Sequence, residues 1–357
     1  MSFRAVSDRA HNALTRYNRP GLIWNLSRRA TLLSTGLFTK LLLATYDSKI
    51  HNLDLLLEAY KTSKIEGRGL LTVMNHVSVM DEPLVWGFLP FPFFFFKDGL
   101  RWTLGADNIC FKNRFLSRYF SLGQVLGTKR FGAGPFQDAV DCAVELLSPN
   151  ASYSAQSLSS AGPDAKAKWV HVFPETYVHQ PLPPHANTLR YFHWGVSRMV
   201  LEATKPPIVV PMFVHGLENA WPEDRPKSSS FFKGMGTKIE FSVGLPLDDK
   251  AIGDYRKKWL ELIESDPEAD LSGDMTENLR TGSEAERLRS EVALYLREGV
   301  LRTREDLGFS PEEKPFGDPE FWNIPEDVSG VKVLVQDDVR EKFRKSREAR
   351  YSESERS

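Results

Sequence analysis

His76 and Asp81, in the run Asn75-His76-Val77-Ser78-Val79-Met80-Asp81, are the pair in this chain best suited to moving a proton. An imidazole takes a proton from a hydroxyl near neutral pH, and a carboxylate bonded to its other ring nitrogen fixes the tautomer and stabilises the imidazolium. On a straight helix five residues turn through about 500°, leaving the two side chains roughly 140° apart. The pair therefore needs a bend. The sequence supplies one: an apolar run ends near Asn75, Val77-Ser78-Val79 is poor helix material, and Asp81-Glu82-Pro83 is a helix start with proline in the first turn. The same spacing also fits a hydrogen-bonded histidine at the end of a strand, and spacing alone does not decide between the two.

The elements that would position this pair read as alternating strands and helices from Gly69 to Pro246. Leu70-Leu71-Thr72-Val73-Met74 is a buried strand of the kind found in covered sheets. Gly123-Gln124-Val125-Leu126-Gly127, Trp169-Val170-His171-Val172-Phe173 and Ile208-Val209-Val210 are three more strands. Phe136 to Leu147 has helical periodicity, and Tyr191 to Ala203 is a second helical stretch. Strands separated by helices predict an α/β domain with a mixed, largely parallel sheet covered by helices, with functional groups at the carboxyl ends of the strands. His76, Arg130 and Glu175 all fall there. Residues 149–168, rich in Ser and Ala, read as a surface loop. Beyond Asp248 the pattern turns to charged helices over 255–263 and 284–304; Pro311 to Pro325 breaks helix, and 340–357 is a charge-mixed tail. The expected division is 1–50 as a basic amphipathic region, 51–250 as the main domain, 251–310 as a C-terminal helical extension, and 311–357 as a proline-containing charged tail.

Composition narrows the partners. With 357 residues, 41% hydrophobic, 26% charged and a net charge of −1, the chain is an ordinary folded protein without the electrostatic footprint of a nucleic-acid binder. Cys110 and Cys142 lie outside any metal-ligand spacing, so no metal and no disulfide framework is expected. No stretch reaches the roughly 18 to 20 apolar residues of a membrane span. Three shorter apolar stretches, 24–46, 83–96 and 206–217, are core elements or interfacial segments. Between Phe3 and Tyr46 seven Arg and Lys residues face a single Asp8, which suits a helix lying on an anionic lipid surface. A mitochondrial presequence or a core-facing helix would share that bias. The interfacial reading puts Trp24, Leu37 and Phe38 at the membrane, with Phe94 and Phe95 of the run Phe93 to Phe96 as a second lipid contact or the lining of an acyl channel.

Four blocks in order carry a resemblance. Leu71-Thr72-Val73-Met74-Asn75-His76 through Asp81-Glu82-Pro83-Leu84-Val85-Trp86, then Gly123 to Arg130, then Trp169 to Glu175, then Ile208-Val209-Val210-Pro211 resemble the glycerophospholipid acyltransferase superfamily. The flanks Gly105 to Phe111 and Leu201 to Pro207 are similar to its phospholipid–lysophospholipid transacylase branch. The resemblance implies an acyltransferase domain in which His76 is the general base and Asp81 its orienter. It further implies that Arg130 with Lys129 holds a lipid phosphate, that Glu175 binds a glycerol hydroxyl or positions Arg130, that Asn75 contributes to the substrate site and that Pro211 shapes an acyl groove. It implies no cofactor. Its partners would be phospholipids and lysophospholipids (cardiolipin, monolysocardiolipin, phosphatidylcholine) and a membrane surface, with oligomerisation left open. The location implied is mitochondrial, on the outer and inner membranes facing the intermembrane space. Acyl-CoA-dependent acylation and a non-catalytic scaffold are the alternatives. One departure stands out: the family's third block usually continues Glu-Gly, whereas Thr176 follows Glu175 here, and a glycine would give access to positive φ or to close approach of substrate.

Overall fold

The computed structural model describes residues 3–19, 21–95, 100–130, 134–148, 167–225 and 234–334. Its strands are β1 (Asp47–His51), β2 (Leu70–Met74), β3 (Trp102–Ala106), β4 (Val125–Thr128), β5 (Trp169–Val172), β6 (Gln180–Pro181), β7 (Ile208–His215), β8 (Lys238–Val243) and β9 (Val333–Leu334). Seven form one sheet in the order β1-β8-β7-β2-β5-β3-β4, and every neighbouring pair is parallel except β7 with β8. The expected α/β class and mixed, largely parallel sheet are therefore present.

Side chains alternate across this sheet, and both faces are covered. Leu71 and Val73 of β2, Val170 and Val172 of β5, and Val209 and Phe213 of β7 enter one core, with the helices Arg4–Tyr17, Asp138–Leu147, Gly195–Glu202, Asp249–Ser265 and Ser283–Glu305. Leu70 and Met74, Trp169, and Val210, Met212 and Val214 enter the other, with Leu22–Leu43, Leu53–Glu66 and Asp81–Trp86. Burial on both faces is why these strands read as unbroken apolar runs. β1 escaped the sequence reading because it is an edge strand with the polar sequence Asp-Ser-Lys-Ile-His, the kind of edge that resists pairing with other chains.

The helix Leu22–Leu43 buries Leu32, Leu42 and Leu43 and leaves Leu22, Ile23, Leu26, Leu37, Phe38 and Leu41 exposed. Trp24 is half-buried beneath Arg19, whose guanidinium lies 5.4 Å from the ring. Among the described residues no helix is long and apolar enough to cross a membrane. The break expected over 311–325 takes a definite form: a 3-10 turn, Pro319–Asn323, and a short helix, Glu326–Ser329, lead to β9, which pairs antiparallel with β6. Residues 149–166 of the expected loop, Phe96, and the tail 340–357 lie outside the described residues.

Candidate active site

β2 ends at Met74 and the next helix starts at Asp81, so the six residues between form the required bend. The bend closes on one carboxylate oxygen. Asp81 Oδ2 accepts from Val77 N at 2.7 Å and Ser78 N at 2.8 Å, and lies 3.0 Å from His76 Nδ1. With Nδ1 engaged with Asp81, Nε2 is the other ring nitrogen, and His76 lines the large cavity at this end of the sheet. The imidazole stacks on Phe173, with centroids 4.3 Å apart, which fixes its plane. Asp81 is wholly buried, and burial raises its carboxyl even though the His76 bond and the two amides pull it down.

Two residues of the expected substrate site, Asn75 and Glu175, bond to main chain. Asn75 donates from Nδ2 to Val214 O at 2.9 Å and accepts at Oδ1 from Val214 N at 2.8 Å, clasping the end of β2 to β7. Glu175, also buried, accepts from His76 N at 3.1 Å and from Arg190 N at 2.9 Å. Both its oxygens hold main chain, so Glu175 positions the His76 turn and the Arg190 segment, while Arg130 reaches Asn108 Oδ1 at 3.4 Å. Burial pushes Glu175 up to about 8 from 4.5. A carboxyl raised in the fold supports it fully below pH 4.5 and withdraws that support as pH climbs to about 8. The melting-temperature advantage of wild type over Glu175→Gln should thus shrink across that window, and a constant difference would show Glu175 ionised throughout.

Thr176 adopts φ +69°, the left-handed conformation that explains the family's glycine. A threonine there is strained by roughly 1–2 kcal/mol, partly offset by the entropy a glycine would lose. Thr176→Gly should raise the melting temperature by about 2 °C in differential scanning calorimetry, and a fall would show that the threonine makes a compensating contact.

The cavity has a volume of about 1610 Å³, larger than a typical drug-sized site. Leu32, Gly36 and Thr39 of the helix Leu22–Leu43 form one wall, Lys129 and Arg130 at the end of β4 another, and Phe321 and Trp322 of the C-terminal segment a third. Phe94 is 2% exposed, packed against Gly36 at a distance a methyl group would not tolerate, so it lines the cavity and is not on the outer surface; Phe95 is half-exposed. Pro211 is buried in β7 against Gly244 and Gly299 of the C-terminal side, and it is not part of the cavity wall. Sequence reasoning missed Arg190, whose guanidinium lies 4.6 Å from the Tyr177 ring and 4.5 Å from the Tyr191 ring on the cavity wall. It also missed Gln180 and Glu223, for which the sequence offers no motif.

A histidine held by a carboxylate at the carboxyl edge of the sheet, on the wall of a partly apolar cavity that also carries two cations, is an arrangement able to carry acyl transfer to a hydroxyl. In keeping with that class, residues 49–215 match the Acyltransferase family model. The chain belongs to the tafazzin family: it is 42% identical to tafazzin of Saccharomyces cerevisiae over 94% of its own length and 93% of that protein's. Tafazzin of Drosophila melanogaster is 30% identical, over 65% of this chain and 54% of that one. The crystal structure of a 1-acyl-sn-glycerophosphate acyltransferase from Thermotoga maritima aligns over 87% of this chain and 97% of that one, with 14% identity and a TM-score of 0.40. This chain is accordingly an acyltransferase.

Proposed function

We propose that the protein is a CoA-independent phospholipid–lysophospholipid transacylase working at a mitochondrial membrane surface, with phosphatidylcholine, cardiolipin and monolysocardiolipin among its substrates. The observation that carries this reading is the His76–Asp81 pair, with His76 on the wall of a cavity large enough for parts of two lipids. His76 Nε2 takes the proton of the lysolipid hydroxyl. The alkoxide forms a new bond to the ester carbonyl carbon of the donor phospholipid. When the tetrahedral adduct collapses, the bond to the donor's glycerol oxygen breaks and His76 returns the proton to that oxygen. The reverse reaction uses the same groups in the same states, as reversible exchange requires. Asp81 holds the imidazole tautomer and balances the imidazolium charge, and Lys129 and Arg130 hold a lipid phosphate.

Membrane contact would come from the exposed apolar ridge of the helix Leu22–Leu43, continued by exposed Ile109 and Phe115. Chains could then enter the cavity from the bilayer without crossing water. The test is incubation of the pure protein with acyl-labelled phosphatidylcholine and a lysolipid in the absence of CoA. Label should pass to the lysolipid. No transfer would sink the proposal, and transfer only from added acyl-CoA would favour the acyl-CoA-dependent alternative. Substituting Leu26, Phe38 and Leu41 together with Ser should weaken vesicle binding in a flotation assay by roughly tenfold or more, and unchanged flotation would move the membrane face elsewhere.

A further inference from the structure

Gln180, buried at the start of β6, ties two segments together through one amide. Its Nε2 donates to Val77 O at 2.6 Å and to Trp221 O at 3.1 Å, and its Oε1 accepts from Glu223 N at 2.9 Å. His179 N, one residue earlier, donates to His76 O at 2.7 Å. The backbone that carries His76 is thereby stitched to the backbone that carries Glu223, and both side chains line the same cavity. Glu223 Oε1 is enclosed and has no hydrogen-bond partner among the described residues. The neighbouring cation does not supply one: Arg225 Nη1 is directed at Pro222 O, 3.2 Å away, and at Trp221 O, 3.5 Å away.

An enclosed carboxylate oxygen without a donor is costly, and the cost is removed when a ligand supplies the donor. The reacting hydroxyl cannot do so, because its single proton goes to His76. A phosphate cannot either, since it would be repelled here and attracted to Lys129 and Arg130. What remains is a donor carried by the head group beyond the phosphate. We propose that Glu223 is a specificity-determining residue that accepts a hydrogen bond from the head group of the acyl acceptor, so that acceptors whose head group bears a hydroxyl or an ammonium are selected over those with no donor. This inference rests on the transacylase reading. The shared chemistry is a hydrogen-bond donor, and its two sources are a polyol and an amine.

The experiment uses the full chain, acyl-labelled phosphatidylcholine as donor, and three acceptors: lysophosphatidylglycerol with hydroxyls, lysophosphatidylethanolamine with an ammonium, and lysophosphatidylcholine with neither. The quantity read is the ratio of kcat/KM for each donor-bearing acceptor to that for lysophosphatidylcholine. Glu223→Ala should lower at least one ratio by about 10- to 100-fold, the range of a hydrogen bond to a charged group, chiefly through KM. Glu223→Gln separates the sources, because an amide oxygen still accepts from a hydroxyl but has lost its charge for an ammonium. A ratio restored by Gln identifies the polyol; one lost in both variants identifies the amine. Ratios unchanged in both variants overturn the assignment, as does an equal fall for all three acceptors, while a wild type that labels no acceptor overturns both this inference and the transacylase reading beneath it.

Discussion

Asp81→Asn should lower acyl exchange by about 10²- to 10⁴-fold with little loss of fold, and His76→Ala should lower it by at least as much. The asparagine variant is the sharper test because of how Asp81 is bonded. Its three close partners, Val77 N, Ser78 N and His76 Nδ1, all meet Oδ2, and Oδ1 has no hydrogen-bond partner among the described residues. An amide with its oxygen in the Oδ2 position keeps all three bonds and places NH2 where Oδ1 stood. That buried NH2 costs on the order of 1–3 kcal/mol, which removal of a buried charge offsets in part. The bend should therefore survive while the charge that stabilises an imidazolium is gone. Initial rates with and without each substitution, beside melting curves, check both halves. Exchange within threefold of wild type in Asp81→Asn would reduce Asp81 to a cap for the turn and would leave His76 without an electrostatic partner.

The bend itself was legible because signals bracket it: a strand run ends at Met74, and an acidic, proline-containing helix start follows at Asp81. Local chemistry on each side left one solution. Thr176 was legible for a similar reason, since a missing glycine points to a backbone position with positive φ, which the structure has at +69°. Asn75 and Glu175 were not. Each neighbours a block that ends at a strand, where unpaired main-chain groups must be satisfied, and a polar side chain there can serve backbone as readily as substrate. Which it serves depends on Val214 and Arg190, segments distant in sequence or folded back from a loop, and spacing carries no information about either. Phe94 and Pro211 show the complementary limit. Both were read correctly as apolar, but the surface an apolar side chain covers is decided by packing partners, here Gly36 for Phe94 and Gly299 for Pro211.

The C-terminal segment was the least legible part of the site, since its polar, proline-broken composition gives no sign that it walls the cavity. A buried ion pair helps hold it there beside the β6–β9 pairing, and Glu312→Ala should accordingly cost roughly 3–5 kcal/mol, the loss expected when one partner of such a pair is removed. Glu312 pairs with Arg297 of the helix Ser283–Glu305, and both side chains are less than a tenth exposed. The same two residues grip the segment behind the site: Leu189 N donates to Glu312 Oε1 at 2.7 Å, while Arg297 donates to Leu189 O at 2.6 Å and to Arg190 O at 3.0 Å. Arg190 N in turn donates to Glu175, which also holds His76 N. A continuous set of bonds thus runs from the last long helix to the histidine. Losing Glu312 leaves a buried guanidinium unpaired and one of these backbone bonds unmade, so the melting temperature should fall by about 10 °C and exchange should fall with it below that transition. Glu312→Gln, which keeps an acceptor for Leu189 N, should recover part of the rate without the full stability. If Glu312→Ala melts lower yet exchanges at the wild-type rate at 20 °C below its own transition, the C-terminal segment supports the fold alone and the set of bonds to His76 has no catalytic consequence.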